Sequence, residues 1–131
     1  MIVTDVKLVD IHFLRPHEGI DEANLTSLTE KIHKNGAWDT PIIIDKESGI
    51  IMDGHHRYNF ALTSGLSRVP CYEMSYSSEK VRVYDWKTGL PFAYQQIFKS
   101  VESGKIFPPK TTRHDFSEQF ATVNIELTRL Y

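Results

Sequence analysis

Apolar and polar positions along this chain switch between two periods. Across residues 6–13 the alternation is close to every second residue, which predicts a strand. Arg15-Pro16-His17-Glu18-Gly19 breaks the pattern and reads as a loop. Beyond it Leu25, Leu28, Ile32 and the ring of His33 recur at helical spacing. They lie between Asp21, a good N-cap, and Gly36, a good C-terminal stop. Pro41 leads the β-branched run Ile42-Ile43-Ile44, short enough to be a buried strand, and Ile50-Ile51-Met52 is a second one. The turn Glu47-Ser48-Gly49 between them is too tight for a parallel crossover, so the two form an antiparallel hairpin. A helix is predicted from about His55 to Ser64, burying Tyr58, Ala61 and Leu62 and stopping at Gly65. Strands follow at 69–76 and 80–86. Pro91 suits the first turn of a third helix, with Ala93, Tyr94, Ile97, Phe98 and Val101 on one face and Gly104 at its end. Residues 107–114 read as a loop, and the last dozen residues fit strand and helix equally.

This order describes a mixed α/β domain of short strands, an α+β arrangement with a small mixed sheet flanked by helices. The hairpin excludes a doubly wound nucleotide fold. At 131 residues the chain has the size of one domain, expected to span 1–131. No apolar run approaches the ~20 residues of a membrane span. The N-terminus lacks a basic segment followed by an apolar one, so no signal peptide is expected, and the cytoplasm is the expected location. A single cysteine, Cys71, excludes an internal disulfide and a cysteine-based metal cluster. The net charge of −2 disfavours DNA as a partner, because nucleic-acid binding usually requires a basic surplus or stripe.

The candidate chemistry concentrates where the second hairpin strand runs into a helix, at Asp53-Gly54-His55-His56-Arg57. A helix N-terminus carries unpaired N–H groups and partial positive charge, which suits an anion. Gly54 lets the backbone approach a ligand, Arg57 offers a planar fork for phosphate oxygens, and His55 and His56 add donors. Asp53 fits only if it holds a magnesium ion or contacts a hydroxyl. On spacing alone an ordinary capped helix explains the same residues. Lys110-Thr111-Thr112-Arg113-His114, stiffened by Pro108 and Pro109, is a second basic, hydroxyl-rich segment suited to phosphate or carboxylate. Trp38, Asp85 and Trp86 are not placed in the site. Trp38 could cover a nucleotide base, but core packing is the better expectation for a tryptophan.

The run from Ile50 to Tyr58, with Gly65 and Val69-Pro70 after it, resembles the signature of the ParB/sulfiredoxin-like superfamily. Leu14-Arg15-Pro16-His17-Glu18 and Pro41-Ile42-Ile43-Ile44 fit the same pattern. The Asp-Gly-His-His-Arg form resembles the free-serine kinase branch. Sulfiredoxins place a catalytic cysteine where His55 stands, and ParB partition proteins carry a different charged pattern with a helix-turn-helix domain. The resemblance covers residues ~5–76 and returns at 107–114, where Pro-Pro-Lys-Thr-Thr-Arg-His is similar to an element of the kinase branch. It implies a core at about 5–76, with 77–131 completing the site. It also implies transfer of a phosphoryl group from ATP or ADP to free L-serine or a close analogue, giving O-phosphoserine, with Mg2+ held by Asp53. Glu18 and Asp53 would be catalytic, Glu18 as general base. Gly54, His55, His56, Arg57, Lys110 and Thr111 would bind nucleotide phosphates, and Thr112, Arg113 and His114 the amino acid or the transferring phosphate. Relatives of this branch often carry a larger C-terminal portion, so a homodimer could be needed to complete the pocket. The rival reading is a nucleotide-binding regulatory module without serine turnover. Glu18 and the 111–114 segment favour the enzyme, since a switch needs neither.

Overall fold

A computed structural model describes residues 2–131. The strands are β1 (Ile2–Val3), β2 (Lys7–Asp10), β3 (Ala37–Trp38), β4 (Ile42–Asp45), β5 (Ile51–Asp53), β6 (Arg68–Met74), β7 (Val81–Asp85), β8 (Thr112–Phe116), β9 (Gln119–Phe120) and β10 (Ile125–Glu126). The α-helices are α1 (Glu22–Asn35), α2 (His55–Ser64) and α3 (Tyr94–Ser103).

The central sheet has four strands in the order β2-β6-β4-β5. β4 pairs antiparallel with β5, as the tight turn requires, and parallel with β6. The sheet is covered on both faces, which explains the unbroken apolar run of β4. Ile42 and Ile44 join Phe60, Ala61, Ile32 and Trp38 in one buried cluster under α1 and α2. Ile43 points the other way, into a second cluster with Tyr72, Tyr76, Val81, Val83 and Ile97, under the β7–β8 ribbon and α3. Leu130 is fully buried in the first cluster, so the end of the chain folds back onto its centre.

Helix α1 starts on Asp21, whose carboxylate accepts the Asn24 N–H, and stops at Gly36 in the left-handed region. Several expectations need correction. The strand expected over 6–13 is β2 and ends at Asp10, because the Asp10 carboxylate accepts the His12 N–H and turns residues Ile11–Phe13 into a 3-10 helix. On α2 the fully buried side chains are Phe60 and Ala61, whereas Leu62 is 44% exposed. Pro91 lies outside α3. It forms a bridge with Tyr84, and the Phe92 N–H bonds to the Val83 carbonyl, so the chain stays extended until Ala93. The expected loop at 107–114 ends early, because Thr112 to Phe116 pairs in register with β7. The last residues form two short strands and a 3-10 helix at Leu127–Arg129.

Candidate functional site

The β5–α2 junction makes one wall of a cavity of about 510 Å³, within the usual size of a small-ligand site. Gly54 makes the turn at φ 111°, and a Cβ there would sit 3.1 Å from the Ile42 side chain. No side chain caps α2, so the N–H groups of its first turn are left for a ligand. Asp53 and Arg57 line the same wall, and Arg57 approaches Asp39 at 3.6 Å while its Nε has no partner. Part of Asp53 faces the opening, yet the surrounding protein raises its carboxyl above the usual range. The Arg57 charge and the Gly54 N–H oppose that shift.

The two histidines do something the sequence does not announce. His55 Nε2 accepts the N–H groups of His17 (3.1 Å) and Glu18 (3.3 Å). His56 Nε2 accepts the N–H of Asp21 (3.0 Å). A ring nitrogen that accepts carries no proton, so each ring offers a ligand only its Nδ1. Burial, with the nearby His17, lowers His55 to about 3 against a smaller opposing effect of Glu18, so it stays neutral. That remaining position, Nδ1–H, is the one donor each neutral ring can still offer to phosphate. They act first as struts that tie the 17–21 segment to the start of α2.

Glu18 is held from the other side as well. Phe107 N–H bonds to the His17 carbonyl and Gly19 N–H to the Phe107 carbonyl, both at 2.8 Å. Glu18 Oε2 accepts the Thr112 N–H at 2.9 Å and the Thr112 hydroxyl, and His17 Nε2 lies 3.3 Å from the same oxygen. Burial alone would raise this carboxyl. His17 and the Thr112 hydrogen bonds outweigh it and bring the group down to about 2. Glu18 is therefore an ionised carboxylate, 9% exposed, that lines the same cavity as Asp53 and Arg57.

Strand geometry sorts the second motif. Lys110, in a left-handed conformation at φ 60°, lines the cavity. Thr111 closes its own turn, donating its hydroxyl to the Pro108 carbonyl at 2.7 Å, and lies outside the cavity. Thr112 points inward, with its hydroxyl engaged by Glu18 and His17 rather than left for a substrate. Side chains alternate along β8, so Arg113 turns outward. It pairs with Asp115 at 2.6 Å and covers the Tyr84 ring. His114 turns inward behind Thr112, 2.9 Å from the Tyr76 hydroxyl, and does not reach the cavity. Burial lowers it to about 3, with His17 contributing. The structure thus brings together Glu18, Asp53, Gly54, His55, His56, Arg57, Lys110 and Thr112, and leaves Thr111, Arg113 and His114 outside. We expect Arg113→Ala to leave substrate saturation within about twofold of the parent, since exposed ion pairs contribute little. A large rise in KM in steady-state assays would show that the side chain swings into the site.

Sequence reasoning missed Trp86, Asp21, Asn24 and His17. Trp86, 48% exposed, lines the cavity, whereas Trp38 is 1% exposed and donates from Nε1 to the Thr40 carbonyl. Asp21 was legible only as a cap, and nothing in the local pattern marks Asn24. His17 sits beside Glu18 in the loop, which was the available signal. As for a metal, no group of three His, Cys, Asp or Glu side chains converges among the described residues. Magnesium in nucleotide sites usually takes one or two carboxylates and completes its shell with phosphates and water. The Asp53 carboxylate, on the cavity lining beside the uncapped helix end, fits that donor set.

No family model matches the chain. A "ParB-like protein" of Sulfolobus acidocaldarius is 41% identical over 97 residues, covering 70% of this chain and 48% of that protein. An "ATP-dependent L-serine kinase" of Staphylothermus marinus is 31% identical over 99 residues, covering 72% of this chain and 39% of that protein. The chain thus spans less than half the length of these curated relatives. Among solved structures, a "Free serine kinase in complex with AMP" superposes with a TM-score of 0.88 over 98% of this chain and 94% of that one, at 16% identity. That likeness establishes the fold. No helix of the described residues is long and apolar enough to cross a membrane.

Proposed function

We propose that this chain, which has the ParB/sulfiredoxin-like fold of the free serine kinases, transfers a phosphoryl group from ATP or ADP to the hydroxyl of free L-serine. One observation carries the reading. An uncapped helix end with Arg57 and Lys110 lines the same cavity as Glu18, a carboxylate built into place by residues from distant parts of the chain. A site that only held nucleotide would have no use for the second half of this arrangement. The named kinase relative and the kinase fold support the same conclusion.

Phosphoryl transfer needs an in-line hydroxyl and neutralised phosphate charge more than strong general-base catalysis, because its transition state is loose. The serine oxygen forms a bond to the terminal phosphorus. The bond from that phosphorus to the bridging oxygen breaks, and its electron pair leaves with the nucleotide. The first-turn N–H groups of α2 and the Arg57 and Lys110 cations hold phosphate oxygens. Glu18 accepts the hydrogen bond of the serine hydroxyl and aims it. A carboxylate lowered to about 2 is a weak base, so aiming is its larger part, and Glu18 takes the hydroxyl proton only late, once the new bond to phosphorus has made that hydroxyl strongly acidic. Magnesium, when bound with the nucleotide, would neutralise phosphate charge, and Asp53 is the residue to hold it. Trp86 adds an aromatic side chain to the cavity lining.

The test is direct. The protein is incubated with magnesium, L-serine and either ATP or ADP, and phosphoserine is sought by mass spectrometry. Product with at least one nucleotide is expected. Nucleotide binding with no product at high enzyme concentration would overturn the kinase reading in favour of a regulatory nucleotide-binding module.

A further inference from the structure

Glu18 is gripped asymmetrically. Two hydrogen bonds converge on Oε2, from the Thr112 N–H and the Thr112 hydroxyl, and His17 Nε2 lies 3.3 Å from the same oxygen. Among the described residues no hydrogen bond reaches Oε1. The Thr112 hydroxyl has a single hydrogen. Once that goes to the carboxylate, the hydroxyl oxygen can only accept from His17 Nε2, 3.0 Å away. This fixes the His17 tautomer with the hydrogen on Nε2. Its Nδ1 is then an acceptor with no partner in a ring that is 0% exposed. Buried polar atoms almost always find partners, so this orphan calls for an explanation. The ring is fixed all round: edge-on to His55 at 4.6 Å between centroids, and 5.6 Å from His114, which the Tyr76 hydroxyl holds. The backbone of His17 is fixed as well, by His55 on its N–H and Phe107 on its carbonyl.

We propose that His17 and Thr112 are positioning residues that grip Glu18 through Oε2 and leave Oε1 as the single working oxygen, aimed at the acceptor hydroxyl. The proposal deepens the phosphoryl-transfer reading and rests on it for the identity of the acceptor. A carboxylate held at one oxygen cannot rotate to offer both, so the hydroxyl meets one acceptor in one direction. Such orientation is what a reaction governed by alignment requires. Thr112 is accordingly a residue that acts through Glu18 rather than one that holds substrate.

Two variants separate this role from plain packing. Thr112→Val keeps the shape and the backbone N–H but removes the hydroxyl. We expect kcat to fall at least tenfold with nucleotide KM unchanged, Thr112→Ser to recover most of the loss, and the valine to have little further effect in a Glu18→Gln background. His17→Phe keeps an aromatic ring, removes the orphaned nitrogen and deletes the donor. It should lower kcat while leaving the urea midpoint unchanged or higher, a split that a structural role would not produce. The carboxyl resonance of Glu18, followed by carbon NMR in the free protein, gives a readout that needs no turnover. The groups around that carboxyl are His17 and Thr112, the rings of His55 and His114 behind them, and Asp21, Asp53, Arg57 and Lys110 along the cavity. Its midpoint should rise in Thr112→Val and return in Thr112→Ser. A midpoint and a kcat both unmoved by valine, or a valine effect just as large without Glu18, would overturn the proposal. A shifted midpoint in a protein that phosphorylates no serine would support the grip and refute only the choice of acceptor.

Discussion

Glu18→Gln is expected to reduce phosphoryl transfer by about 10²–10⁴-fold, the usual range for a positioned acid–base group, while nucleotide binding measured by calorimetry stays within a few fold. The amide is nearly the same size, and its carbonyl can take the Oε2 place and accept from Thr112. Its NH2 group must then occupy the Oε1 place. There it donates where the carboxylate accepted, and the incoming hydroxyl meets a donor instead of an acceptor. On the proposed reading the loss should appear in kcat, because the groups assigned to nucleotide phosphate, Gly54 and Arg57, are untouched by the substitution. Turnover within threefold of the parent would remove Glu18 from the mechanism. The same carboxyl carries a pH prediction. Its folded-state value, about 2, lies below the ordinary 4.5, so the stability it contributes is complete above 4.5 and is lost as pH falls from there toward 2. Urea midpoints of the parent should drop more across that window than those of Glu18→Gln.

The second large effect is expected at Gly49, in the turn between β4 and β5. Its φ is 75°, and an added Cβ would lie 2.1 Å from the Phe13 carbonyl oxygen, a contact that backbone must move to relieve. Left-handed strain of about 1–2 kcal/mol and overpacking of about 1–3 kcal/mol together predict that Gly49→Ala loses about 2–5 kcal/mol in urea unfolding. That is a large part of the stability of an ordinary domain. Gly36→Ala is the control. Its φ of 68° is similar, but nothing lies within 4 Å of an added Cβ, so only the strain applies. Equal losses at the two positions would show that the Phe13 contact carries no cost. The damage at Gly49 should extend to the site. Arg15 bonds to the Gly49 carbonyl (2.9 Å) and accepts from the Ile51 N–H (3.0 Å), and the chain runs from Arg15 directly into His17 and Glu18.

What the sequence by itself determined was local. The Asp21 cap and Gly36 stop delimit α1, a β-branched run makes β4, the short turn forces the hairpin, and a glycine opens the left-handed step into α2. Each follows from the conformational preferences of a few adjacent residues. The phosphate-suited helix end was legible for the same reason. Pairing across the chain was not. Glu18 and Thr112 are 94 positions apart, and which way each residue of 112–116 points follows from its ladder with β7. A motif read as a loop offers all its side chains at once. Read as a strand, it sends Thr112 and His114 inward and Arg113 outward. Tertiary structure alone also decided what the imidazoles do. A histidine's free nitrogen depends on which backbone N–H lies against the other, and those of His17, Glu18 and Asp21 reach His55 and His56 only when the loop is folded down onto α2.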